Sequence, residues 1–320
     1  MKKLICLLAF ACLPTVADAQ QPKQQQPSAG PDWAYPVGPP GAPKRDANVI
    51  VKVPGSDKTY NEVTGNDAFA PPDWFPNEHA PLPPVVANGS KPDVRACALC
   101  HLPTGDGHPE SAMVSGLSAP YIQRTLREFA AGRRKNNRSP VMQTIAKGMT
   151  PDQMKEAAEY FAGRKPTNGY MKVVEAAEVP KSYVGEGAMR FVSAGNDKEP
   201  IGQRIIVVPQ DEEGAKARNP HTGFLAYVPP GSIAKGEQLA TTGGNGKTVA
   251  CATCHGEGLK GLGEVPSLAG RDPSYLSRQL MDIKSGNRTG AWIVLMQQVV
   301  AKLDTDDIIA LAGYAASRQP

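Results

Sequence analysis

Two short stretches place a pair of thiols three positions apart with an imidazole directly behind the second: Cys97, Cys100 and His101, then Cys251, Cys254 and His255. Three chemistries use cysteines at this spacing. A redox disulfide needs a thioredoxin-like βαβ context. A zinc site needs two such pairs about 15–20 residues apart, whereas these lie 154 apart. The third is thioether attachment: two thiols add to the two vinyl groups of one haem, and the next histidine falls under the iron as proximal ligand. Two such motifs in one chain predict two covalently attached haem c groups.

The motifs sit in a repeat. An offset of 154 residues, without a gap, pairs Gly107 with Gly261, Glu110 with Glu264, Tyr121 with Tyr275, Arg124 with Arg278, Gly132 with Gly286, Met142 with Met296 and Tyr160 with Tyr314. Two copies of one domain follow, over 84–166 and 231–320. Tyr121, Leu126 and Phe129, like Tyr275, Leu280 and Ile283, are apolar near helical spacing, and each run ends at a glycine suited to a left-handed stop. Thr150-Pro151 and Asp304 open the last helix of each copy. That helical pattern is not the βαβ context of a redox disulfide.

A sixth iron ligand has to come from elsewhere in each copy. Met142 and Met296 are the only methionines that align across the repeat. Each lies seven residues before an apolar residue, Met149 or Leu303, that precedes the last helix. From a loop there, a soft thioether can reach the distal face of the haem. Met149 aligns with Leu303 and reads as core. His79, His108 and His221 have no partner in the repeat and read as surface or turn residues.

The rest of the chain supports these copies. Lys2 and Lys3 before the apolar residues 4–13, and small residues at 17–19, predict a secretory signal cleaved after Ala19. Cleavage removes Cys6 and Cys12, so all four remaining cysteines attach haem. Residues 20–83 form a proline-rich N-terminal arm that cannot hold long helices; a short strand is expected within 48–53, and Trp74 with Phe75 is expected to pin the arm to the first domain. The 167–230 connector reads as a short β-hairpin, with strands at 204–208 and 223–228 around an acidic turn at 211–213. Among 320 residues, six cysteines are too dilute for a disulfide scaffold. A formal charge of +4 is too mild for a nucleic-acid binder. No run of about 18 apolar residues predicts a membrane span.

Each copy resembles a class I cytochrome c, and together they resemble the tandem dihaem, c-four-type periplasmic cytochromes. The likeness is carried by the two motifs, by Val265-Pro266-Ser267-Leu268-Ala269-Gly270, by the Tyr275-x-x-x-x-Leu280 helix and by the methionine before a capped C-terminal helix. The resemblance implies a mainly α fold of two tandem class I cytochrome c domains. It also implies that the backbone carbonyl of Pro266 accepts a hydrogen bond from His255, and that Gly236 packs against Tyr314. Ala112 stands where copy one would have that proline, so the two haems are expected to differ in potential. Leu82 stands at the glycine position before Pro83-Pro84, so the first helix of copy one is expected to begin late.

With iron held by His101 and Met142 in one copy, and by His255 and Met296 in the other, neither haem keeps an open site. The chain is therefore expected to be a periplasmic electron carrier and not an enzyme. It would take single electrons from a dehydrogenase and pass them to a terminal oxidase or a downstream cytochrome. The alternatives are an electron-transfer subunit of a dehydrogenase complex and a dihaem oxidoreductase, such as a peroxidase or thiosulfate dehydrogenase. Copy one carries a basic excess over 87–166, including Arg133, Arg134, Lys135 and Arg138, which suggests an acidic partner steered to the first haem.

Overall fold

A computed structural model describes residues 30–41 and 43–320. The expected signal over 1–19, and residues 20–29 and 42 of the arm, lie outside the described residues. The arm contributes a small ribbon, β1 (Ile50–Val51) against β2 (Tyr60–Asn61). Copy one follows with α1 (Pro84–Ala87), α2 (Ala98–His101), α3 (Ala119–Ala130), α4 (Ser139–Gly148) and α5 (Pro151–Ala162). The connector holds β3 (Met171–Glu175), β4 (Glu178–Pro180), β5 (Ser182–Val184), β6 (Arg190–Val192), β7 (Lys198–Pro200), β8 (Ile206–Pro209), α6 (Glu212–Lys216) and β9 (Phe224–Val228). Copy two comprises α7 (Ser232–Thr242), α8 (Ala252–His255), α9 (Pro273–Lys284), α10 (Ile293–Val300) and α11 (Thr305–Ser317).

Local chemistry sets the ends of the repeated helices. Gly132 and Gly286 follow α3 and α9 at φ of +67° and +76°, a backbone region that only glycine adopts without strain. Thr150 accepts from the backbone N–H of Gln153, whose side chain returns the bond, and Asp304 does the same with Asp307. Ile122 and Leu126 on α3 are buried, as are Leu276 and Ile283 on α9. The first helices differ: α7 runs eleven residues but α1 only four, starting at Pro84 behind Pro83. Proline has no N–H to donate back into a preceding turn, so α1 cannot extend further toward the N-terminus.

The connector is more than a hairpin. β8 and β9 pair antiparallel, with Ile206 opposite Tyr227, but β3 joins the other edge of β9 in parallel to give the order β3-β9-β8. Two further ribbons pair β4 with β7 and β5 with β6. The acidic turn at 211–213 is instead the start of α6, where Asp211 caps the N–H of Gly214. Carboxylates suit that position because the first turn leaves N–H groups unpaired. The arm also departs from expectation. Trp74 Nε1 donates to the Ala217 carbonyl at 2.7 Å, and Phe75 stacks on His221 at 4.0 Å. Those aromatics therefore anchor the arm to the connector, not to the first domain.

α7 crosses α11 at Gly236. A Cβ there would lie 2.6 Å from both the carbonyl carbon of Ala310 and Tyr314 Cβ. Backbone against backbone leaves nothing flexible to give way. Gly236→Ala should therefore lose about 1–3 kcal/mol of stability, outweighing the roughly 1 kcal/mol that alanine gains in helix propensity. Urea unfolding of the variant should show a lower midpoint at unchanged slope.

Candidate functional site: two haem-attachment helices and the seam between them

α2 and α8 are single helical turns, so the two cysteines at i and i+3 and the histidine at i+4 share one side. Eleven residues further on, a carbonyl holds each imidazole: His101 Nδ1–H donates to Ala112 at 2.8 Å, and His255 Nδ1–H donates to Pro266 at 2.8 Å. A carbonyl can only accept, so each Nδ1 carries the proton and each Nε2 keeps a free lone pair. Burial lowers both histidine pKa values, against the pull of these carbonyls. Both rings are thereby kept neutral, the form in which an imidazole can bind a metal. Burial pushes the Cys97 thiol up to about 12 and the Cys251 thiol up to about 11. Among the described residues no cluster of three or more His, Cys, Asp or Glu could hold a metal ion, as a zinc site would need.

Cys97, Cys100, His101 and Met142 all line one cavity of about 520 Å³ in copy one. That volume falls in the about 300–1,000 Å³ range of cofactor pockets. Its walls are apolar at Leu117, Ile122, Leu126, Phe129, Ile145 and Phe161. Its polar end holds Arg134 and Arg288, 4% and 8% exposed, each with a buried Nε lacking a hydrogen-bond partner. Glu128 faces Arg134 at 3.5 Å. Asp282 also lines the cavity near Arg288, but with Glu110 and Glu186 it is outnumbered there by Arg95, Arg134, Arg138, Lys216, Arg218, Arg278 and Arg288, which leaves a positive excess around the cavity. An apolar box with paired thiols, a neutral imidazole, a thioether and an unsatisfied cationic end suits haem, whose edge carries carboxylates. In copy two, Cys251 and Met296 pack on the core, His255 is 7% exposed and Cys254 is exposed. The aligned methionines stand on helices, Met142 on α4 and Met296 on α10, not on loops as expected.

The two copies meet through equivalent segments. Arg134 forms an antiparallel bridge with Arg288, its own counterpart in the repeat. Lys135 N–H donates to Asn287 O at 2.8 Å and Thr289 N–H to Arg133 O at 2.9 Å, two bonds that the repeat interchanges. Arg288 donates to Tyr121 Oη at 3.3 Å, and both arginines reach Gln279 Oε1. The basic run was expected to steer a partner. Instead Arg134 is buried in this seam, and Arg138 donates to Gly187 O and lies 4.0 Å from Glu110. The arm enters the seam too: Tyr35, 1% exposed, donates to Asp282 at 2.8 Å, and Arg278 donates to Ala34 O. Nothing in the sequence pattern of 30–35 announced that role.

Comparison with known proteins agrees with this geometry. No family model matches the chain. It is 26% identical over 240 residues to the thiosulfate dehydrogenase electron acceptor of Thiomonas intermedia, covering 73% of this chain and 84% of that one. Cytochrome c-554(548) of Halomonas halodenitrificans is 31% identical over 77 residues, 24% of this chain and 93% of the relative. Cytochrome c4 of Stutzerimonas stutzeri is 35% identical over 96 residues, 29% of this chain and 46% of the relative. The solved thiosulfate dehydrogenase (TsdBA) from Marichromatium purpuratum aligns at a TM-score of 0.49 and 28% identity, over 72% of this chain and 38% of that chain. The sequence match thus spans less than half of that cytochrome c4, and the structural match less than half of the TsdBA chain. The chain belongs to the class I cytochromes c, in their tandem c-four-type form. It is an electron-transfer cytochrome that carries covalently bound haem c and works with redox partners. Among the described residues no helix is long and apolar enough to cross a membrane.

Burial raises the proton affinity of three carboxyls near the seam, Glu110, Asp272 and Asp282. Asp272 caps α9 by accepting from Tyr275 N–H, yet it is 1% exposed and its second oxygen has no partner. Burial raises it to about 7, against the pull of Arg278 and the Tyr275 N–H. A carboxyl raised on folding binds its proton more tightly in the native state, so its contribution to stability is fully present below the ordinary aspartate range and is lost as pH rises through 7. Asp272→Asn keeps the cap and removes the charge. Urea midpoints at pH 5 and pH 8 should differ less in this variant than in the wild type, and at pH 8 the variant should be the more stable.

Proposed function

We propose that the chain is a periplasmic carrier of two haem c groups, each bound by histidine and methionine, passing single electrons from a dehydrogenase to an oxidase or a downstream cytochrome. The observation that carries this reading is the repeated site: two C-x-x-C-H helices, each with its histidine locked to a carbonyl at 2.8 Å. Haem, when bound, would supply a one-electron iron couple, whose potential a histidine–methionine ligand pair would raise. The chain's own residues do the rest. Cys97 and Cys100, and Cys251 and Cys254, tether the groups. The carbonyls of Ala112 and Pro266 fix the imidazoles. Met142 and Met296 supply the sixth ligands, which leaves no coordination position for a substrate. Every cysteine among the described residues belongs to a motif, so none is left to act as a thiolate ligand.

The donor is a dehydrogenase acting on reduced sulfur compounds. Relatives named thiosulfate dehydrogenase electron acceptor come from two organisms, and a third relative is named the cytochrome subunit of sulfide dehydrogenase. Reductive titration should take up two electrons per chain. In the ferric protein, Met142→Ala and Met296→Ala should each remove about half of the weak red charge-transfer band that reports sulfur on iron, and each should lower one midpoint potential. A variant with an unchanged band and unchanged potentials would reassign that sixth ligand.

A further inference from the structure

Glu110 and Glu264 occupy one position of the repeat, nine residues after the histidine of each motif. Their surroundings are opposite. Glu264 is exposed and pairs with Arg124 at 2.6 Å. Glu110 lines the copy-one cavity together with His101 and Met142, and its side chain is only 10% exposed. Its Oε2 is buried without a hydrogen-bond partner. A carboxylate oxygen in that state has lost the donors of water and gained none from the protein, and the penalty is largest when the group is charged.

The cations around Glu110 do not supply the missing donor. Arg138 stops 4.0 Å short, and its guanidinium donates to Gly187 O. Arg190 donates to Ser182 Oγ, and Arg278 to the carbonyls of Ala34 and Pro109. Burial outweighs the attraction of all three arginines and raises the Glu110 carboxyl above its ordinary range. Asp272, the cap of α9, is the acid coupled to it from copy two. The other acids of the cavity wall have partners: Asp282 accepts from Tyr35 and Asn136, and Glu186 pairs with Arg45. His108 on the same wall is lowered to about 3 by burial, so it stays neutral. Tyr121, despite burial, is lowered to about 8 by Arg288 and Arg134. The cations of the wall are arginines and Lys216, whose charge does not change near neutral pH.

We propose that Glu110 is a proton-binding site coupled to the first haem: its Oε2 takes up a proton from solvent as the cavity gains an electron, and returns it as the electron leaves. The proposal rests on the carrier reading above and adds a proton to one of its two electrons. An electron entering the copy-one cavity cancels one positive charge near Glu110, which strengthens the hold of the carboxyl on a proton. The electron comes from the donor protein and the proton from water, so the charge of the cavity is conserved and no other bond forms or breaks. Acid therefore favours reduction in copy one, and its midpoint potential falls as pH rises. Copy two lacks the device, because Glu264 stands in solvent, paired with Arg124 and screened.

Spectroscopic redox titration of the holoprotein from pH 5 to pH 8 reads both midpoints. In the wild type, the midpoint that Met142→Ala displaces should fall with rising pH, by up to about 59 mV for each tenfold change in proton activity. The other midpoint should stay nearly level. Glu110→Gln should flatten the sloping midpoint and leave the visible spectrum unchanged. Glu264→Gln and Tyr121→Phe should keep the wild-type slope below pH 7. Glu110→Asp retains a carboxyl and should retain a slope, displaced along the pH axis. A first midpoint that is level in the wild type overturns the proposal and leaves the carrier reading standing. A slope that survives in Glu110→Gln does the same, and assigns the proton to another group such as the carboxylates of the haem. Should Glu110→Gln fail to load haem, Glu110→Asp decides, and an unmoved slope overturns the proposal. A wild type that takes up no electrons reversibly at any pH overturns both.

Discussion

The meeting of Arg134 with Arg288 is the contact on which the arrangement of the copies depends. Two like-charged side chains buried against each other are unfavourable unless other groups compensate them. Here the backbone pairs first: two hydrogen bonds exchanged between equivalent segments fix the copies about a local two-fold relation. An isologous contact of this kind arises naturally when a duplicated domain meets its own twin. The guanidinium groups are then partly satisfied by Glu128, Gln279, Tyr121 and Thr125. Their Nε atoms remain unpartnered beside the cavity. Haem bound there would bring carboxylates, so holding the copies together and loading them would become one electrostatic problem.

Everything outside the repeat breaks that symmetry. Arg218 ties three parts together, donating to Leu99 of the first motif and to Gly65 and Asn66 of the arm. Trp74 closes the same corner from the arm through Ala217. β9, with Phe224, Ala226 and Val228 fully buried, joins the core of copy two, so the connector is anchored on one copy while it covers the other. Duplication supplied two equivalent attachment motifs, and the additions made them unequal in exposure: Leu99 is 8% exposed, whereas its counterpart Thr253 is exposed.

Much of this was legible in the sequence because the signals are local or repeated. The haem motifs, the aligned methionines, the left-handed glycines after α3 and α9, and the capping residues Thr150 and Asp304 each declare themselves within a few positions or at the 154-residue offset. The tie from His255 to Pro266 followed from the family resemblance, and Ala112 serves the same purpose because the bond uses backbone. What escaped depends on contacts between distant segments. The parallel pairing of β3 with β9 spans the whole connector, and Tyr35 reaches Asp282 across 247 positions. Met142 and Met296 fall on helices because α4 and α10, each separate from the last helix, fill the segments that read as loops. The Arg134–Arg288 pair was present in the register all along, but a charge at a repeated position reads as a solvated surface until its partner's location is known.

The same ambiguity divides the basic run of copy one: Arg133 and Lys135 are exposed, whereas Arg134 and Arg138 act inside the molecule. So do the arginines that face copy one from copy two and the connector. Arg271 donates to Met113 and Ser115 across the seam, Arg278 to Ala34 and Pro109, and Arg218 to Leu99 and Gly65. Most of these acceptors are backbone carbonyls in loops, and Leu99 and Gly65 sit in single helical turns too short to satisfy their own carbonyls; none could be left unpaired when buried. A guanidinium presents five donors in a planar fork, so a single side chain can serve two segments at once. A lysine, with one compact charge, could not hold two loops at fixed separation. In a chain with only 6% aromatic residues and long proline-rich stretches, arginine takes over the joining that a larger apolar core would otherwise perform. Positive charge recruited for that purpose is removed from the surface.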